Sequence, residues 1–120
     1  MTTGTGSATM SGQGASDGDG WGGAVRVVHL TLRGRVQGVG YRAWCAHEAR
    51  VRGLSGWVRN RAGGAVEAVL CGAPGAVDAM VAACRAGPPG ARVDDLLLHE
   101  ASEAALAAGG REGFVVLPTV

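Results

Sequence analysis

The sequence is poor in the residues that build metal centres and cross-links. Its 120 residues include three cysteines, three histidines and no lysine. Cys45, Cys71 and Cys84 are odd in number and form no C-x-x-C pair, which excludes a disulfide framework and a paired-cysteine zinc module. They fall at apolar-periodic or strand positions and read as small core residues. His29, His47 and His99 stand singly, with no i, i+4 pair to grip a metal. No cluster of Asp and Glu offers a hard-cation site. No stretch approaches the roughly 18–20 apolar residues of a membrane helix, so no membrane association is expected.

The first 24 residues are mostly Gly, Ser, Thr and Asp, with one stray Trp21. Such a composition buries too little apolar surface to offset its ordering entropy, so residues 1–24 read as a disordered tail. The tail lacks the basic start and apolar run of a secretory signal, and the cytoplasm is the expected compartment. Residues 25–120 remain for one domain, small but sufficient for a single core.

The charge that is present is uneven. All 11 basic residues are Arg, and seven of them lie between Arg33 and Arg61 against one acid, Glu48. A basic segment around a glycine loop points to an anionic ligand. Within it Arg50, Arg52 and Arg61 read as solvated surface charges, and Arg42 stands apart because it follows the loop directly.

Periodicity gives the elements. Residues 25–33 alternate, with Val28, Leu30 and Leu32 on one face and His29, Thr31 and Arg33 on the other, as in a half-buried strand. Tyr41, Trp44, Cys45 and Ala49 recur at helical spacing, and Gly53 supplies a stop. Residues 54–72 read as a β-hairpin turning at Gly63-Gly64. A second helix over 73–87 has Pro74 in its first turn and a stripe of Val77, Met80, Val81 and Cys84. A strand over 92–101 follows, with Leu96 and Leu98 on one face, then a loop or loose helical turn and a short closing strand over 114–118. The order β-α-β-β-α-β, with two amphipathic helices, predicts a ferredoxin-like α/β sandwich: an antiparallel sheet with both helices on one face and a short closing strand.

The loop "GRVQGVGYR", residues 34–42, joins the first strand to the first helix. Residues 38–43 fit G-x-G-x-x-A, but the next strand enters a hairpin and ends in Asn60 rather than an acid, against a dinucleotide site. RNA-binding domains of this topology need aromatic residues on the central strands, and "VRVVHLTLR" and "AVEAVLCG" have none, so no nucleic-acid partner is expected. A phosphate cradle accounts for more. Glycines let successive N–H groups converge on an anion at a helix N-terminus, and Arg42 can present a planar fork to two phosphate oxygens. Spacing alone leaves open a Gly-rich connection beside a solvated Arg42.

Residues 32–42, "LRGRVQGVGYR", closely resemble the phosphate-loop motif of acylphosphatases, and residues 56–72, "GWVRNRAGGAVEAVLCG", resemble their second motif. Tyr41 stands where the family usually has Phe, Gly63-Gly64 where it has Asp-Gly, and Arg52 where periodicity wants an apolar residue. The resemblance implies hydrolysis of the carboxyl–phosphate bond of a small-molecule acyl phosphate, without cofactor or metal. It implies a phosphate site made by Gly34, Arg35, Val36, Gln37, Gly38, Val39 and Gly40 with the Arg42 guanidinium, and a water oriented by Asn60. A free-standing monomer is expected. The other reading, of a different class, is a non-catalytic phosphate- or acyl-phosphate-binding module serving a partner protein.

Overall fold

A computed structural model of the chain describes residues 24–120, and the expected tail lies outside them except for Ala24. The alternation of the first strand is realised in β1, Arg26–Arg35. There Val28, Leu30 and Leu32 are fully buried while His29 and Thr31 are half-exposed. Burying each such side chain contributes roughly 1.5–3 kcal/mol. The chain continues through α1 (Tyr41–Val51), β2 (Ser55–Asn60), β3 (Val66–Gly72), α2 (Pro74–Ala86) and β4 (Arg92–Glu100). A 3₁₀ helix, Glu103–Gly109, then leads to β5, Phe114–Val116.

The five strands lie in the order β4-β1-β3-β2-β5. β1 is antiparallel to both β3 and β4, and β2 is antiparallel to β3. Only β5 pairs in parallel, with β2, which makes the sheet mixed. Its direction follows from the connection. The 3₁₀ helix carries the chain from the β4 edge to the far edge across the outer face, where Leu106 packs with Trp57 and the Trp57 indole N–H donates to Ala105 O at 2.8 Å. The expected ferredoxin-like α+β architecture is the observed one.

Both helices press their stripes on the inner face. Tyr41, Cys45, Ala46 and Ala49 of α1 and Val77, Met80 and Cys84 of α2 are buried with Val28, Leu30, Val58 and Leu70. Gly53 stops α1 as expected, in a left-handed conformation with φ 70°. Its N–H donates to Arg50 O at 3.0 Å and that of Leu54 to Ala49 O at 2.9 Å, the Schellman pattern.

Several arginines expected in solvent are engaged. Arg50 donates to Phe114 O through Nε at 3.1 Å and Nη2 at 2.7 Å. Arg52 falls just past α1 and bonds Glu48 through its carboxylate and its carbonyl, so it replaces an apolar packing residue with a local cap. Arg61 reaches Glu67 at 3.1 Å. These contacts are long-range or depend on where a helix ends, which charge count alone does not reveal.

The Tyr41 hydroxyl, extra relative to the family's Phe, has a specific partner. It donates to Cys84 O at 2.6 Å. That carbonyl sits in the last turn of α2, and the residue four positions on is Pro88, which has no N–H to offer. Burial, with the nearby Cys84 and Cys45 thiols, pushes the phenol well above its ordinary range, so it remains a donor. Tyr41→Phe leaves the carbonyl without a partner and costs about 1–2 kcal/mol. Thermal melting of the variant should show a Tm lower by roughly 4–8 °C per kcal/mol for a domain of this size.

Candidate active site

Because β1 and β2 are both antiparallel to β3, they run the same way and end at the same rim of the sheet. The glycine loop leaves β1 at this rim, and Asn60 closes β2 there. Topology thus brings together two motifs that are some twenty residues apart in sequence.

The loop depends on glycine for its shape. Gly38 and Gly40 hold φ of 76° and 77°, where a side chain would be strained. A Cβ at either would meet nothing within 4 Å, so the glycines serve conformation and the space before them is open. Gly40 is the N-cap of α1, with no side-chain cap and no acid in the first turn. The first intrahelical bond runs from Trp44 N–H to Gly40 O at 3.1 Å. The N–H groups before it, with the positive end of the helix dipole, face the loop.

A cavity of about 310 Å³ opens here. It is lined by Gly38, Gly40, Arg42 and Asn60, together with Val36, Tyr41, Ala43 and Val116. Arg42 pairs with no carboxylate among the described residues. Arg59 and Arg61 are engaged elsewhere: both reach Glu67, at 2.7 and 3.1 Å. Burial opposes the Glu67 charge, but bonds from His29, Arg59 and Arg61 outweigh it and hold its carboxyl below the ordinary glutamate range. Asn60 Oδ1 is buried and has no hydrogen-bond partner among the described residues. Buried polar atoms are rarely left so without a reason.

Other residues of the expected cradle make further contacts. Gly34 and Arg35 belong to β1, paired with Val93 and Arg92 across a bulge. Gly34, at φ 128°, admits the β4 backbone so closely that a Cβ would lie 2.2 Å from Arg92 O. The Gln37 side-chain amide donates from Nε2 to Arg61 O and Ala65 O, both at 2.9 Å. It ties the loop to the hairpin that carries Asn60. Val39 packs against the main core. Two contacts that no local signal announces complete the rim. Val120 N–H donates to Asn60 O at 3.2 Å, and Ala62 N–H to Val120 O at 2.7 Å. Val116 reaches the cavity only because β5 pairs with β2.

An acylphosphatase family model matches residues 28–114. The chain belongs to the acylphosphatase family. It is 53% identical over 96 residues to the acylphosphatase of Bradyrhizobium diazoefficiens, covering 78% of this chain and 96% of that one. It is 57% identical over 93 residues to that of Azorhizobium caulinodans, with the same two coverages. Among solved structures, the acylphosphatase from Bacillus subtilis superposes with a TM-score of 0.69 at 33% identity, over 78% of this chain and 99% of that one. This acylphosphatase is therefore an enzyme, a hydrolase, on a fold it shares with its relatives. Among its described residues no helix is long and apolar enough to cross a membrane.

Proposed function

We propose that this acylphosphatase hydrolyses the carboxyl–phosphate bond of small acyl phosphates. The observation that carries the reading is one cavity shared by the uncapped start of α1, the unpaired Arg42 and the buried, partnerless Asn60 Oδ1.

The phosphoryl group lies against the loop, its oxygens held by N–H groups of residues 38–43 and by the Arg42 guanidinium. Gly34, Arg35 and Gln37 support the loop from behind, through the β4 ladder and the hairpin. The Asn60 carboxamide holds a water by a hydrogen bond and aims the water's lone pair at phosphorus. The new P–O bond forms on the water oxygen as the bond from phosphorus to the acyl oxygen breaks. A carboxylate leaves with the bonding pair, and both water protons end on inorganic phosphate. The carboxylate is stable at neutral pH, so no strong general acid is required. Asn60 serves by orientation, since an amide has no usable pKa. Charge spreads over the phosphoryl oxygens in the transition state, so fixed donors supply most of the catalysis.

Release of inorganic phosphate from acetyl phosphate and benzoyl phosphate is the test. Stoichiometric phosphate and carboxylate support the reading; tight binding of phosphate with no turnover of either substrate would leave a binding module instead. Turnover should also survive EDTA. The cavity wall presents no His, Cys, Asp or Glu to a metal, and Arg42 with the helix end supplies the positive charge. Activity abolished by chelator and restored by Mg²⁺ would contradict this site.

A further inference from the structure

We infer that Val116 of β5, with Ala43 of α1, forms the subsite for the acyl group and selects acyl phosphates whose acyl group is apolar. The inference rests on the phosphate placement proposed above. With the phosphoryl group at Gly38, Gly40 and Arg42 and Asn60 beside the water, the lining left for the rest of the substrate is Val36, Tyr41, Ala43 and Val116. Val36 is 1% exposed and Tyr41 2%, whereas Val116 is 43% exposed and has side-chain surface to offer.

Charge points the same way. Arg42 is the one ionisable group in the wall besides the Tyr41 phenol, whose hydroxyl is committed to Cys84 O. The phosphoryl group takes the guanidinium, and nothing in the wall is left to neutralise a second anion on the acyl group. An apolar acyl group instead gains by covering exposed valine and alanine methyls.

The placement of Val116 is enforced from both sides. β5 has three residues and pairs with β2 through Gly56–Phe114, Trp57–Val115 and Val58–Val116. Leu117 N–H donates to Val58 O at 2.9 Å just beyond it. From the helix side, Arg50 in the last turn of α1 holds Phe114 O through two N–H groups. The strand continues to Val116, which lines the same cavity as Ala43 in the first turn of α1.

Acetyl phosphate and benzoyl phosphate release carboxylates of similar basicity and differ chiefly in apolar surface, so their kcat/KM ratio reads the subsite. In the wild-type enzyme benzoyl phosphate should be favoured about tenfold, through KM, for a ring partly removed from water. Val116→Ala should lower the ratio roughly 3- to 10-fold, for two methyl groups lost from a half-exposed contact. Val116→Thr, nearly isosteric, should lower it by about as much while the melting temperature shows the fold intact. The inhibition constant of inorganic phosphate, which lacks an acyl group, should move by less than about twofold in either variant on this account. A wild-type ratio near one, or a ratio unmoved in both variants, overturns the subsite while leaving the hydrolase reading standing. No phosphate release from either substrate by the wild-type enzyme would sink that earlier reading itself.

Discussion

Asn60→Ala lowers kcat by about two orders of magnitude or more, about 3 kcal/mol of transition-state stabilisation. In the role proposed for it the side chain orients a water rather than binding phosphate, so its loss should remove alignment that matters chiefly in the transition state. Inhibition by inorganic phosphate should change by less than about threefold, because the loop and Arg42 remain. Stability should change little. The Asn60 oxygen has no hydrogen-bond partner among the described residues, so no bond of the fold is lost with it. The backbone there is secured independently, by the Val66 register and the Val120 N–H bond. An asparagine that merely caps the hairpin predicts the reverse pattern, near-normal kcat with a lower melting temperature. Steady-state kinetics and a melt on one preparation of the variant separate the two.

Arg42→Gln has its largest effect on binding. A guanidinium bonded to phosphate acts in the ground state as well as the transition state, and a hydrogen bond to a charged group contributes about 1.5–3 kcal/mol. The inhibition constant for inorganic phosphate should rise roughly tenfold to a hundredfold, and kcat/KM should fall by at least that factor. Arg59 and Arg61, on the Asn60 strand and its turn, are held by Glu67. Phosphate inhibition left unchanged in Arg42→Gln would place the anion elsewhere. Together the variants give opposite signatures, one in kcat with phosphate binding kept, the other in phosphate binding itself.

The sequence by itself determined the elements and their order. Alternation at Val28, Leu30 and Leu32, the stripe at Val77, Met80 and Cys84, and the stop at Gly53 are local rules, satisfied within one strand or a few helical turns. The glycine loop and the arginine that ends it were legible for the same reason, and the structure adds the left-handed conformation of Gly38 and Gly40. The site's other half was legible only because a second motif around Asn60 marked it. Tertiary structure decided what lies between distant segments. It drew Gly34 and Arg35 into the β4 ladder, where no Cβ fits at Gly34, and it turned Gln37 onto the hairpin. It sorted the arginines, leaving Arg42 without a carboxylate while Arg50 found Phe114, 64 residues away. It brought Val116 to the cavity through a parallel pairing that three residues of strand could not announce. Backbone conformation and amphipathic period are written into neighbouring residues. The partner of a carbonyl or a charge depends on which segments the whole core packs together, and only the folded chain specifies that.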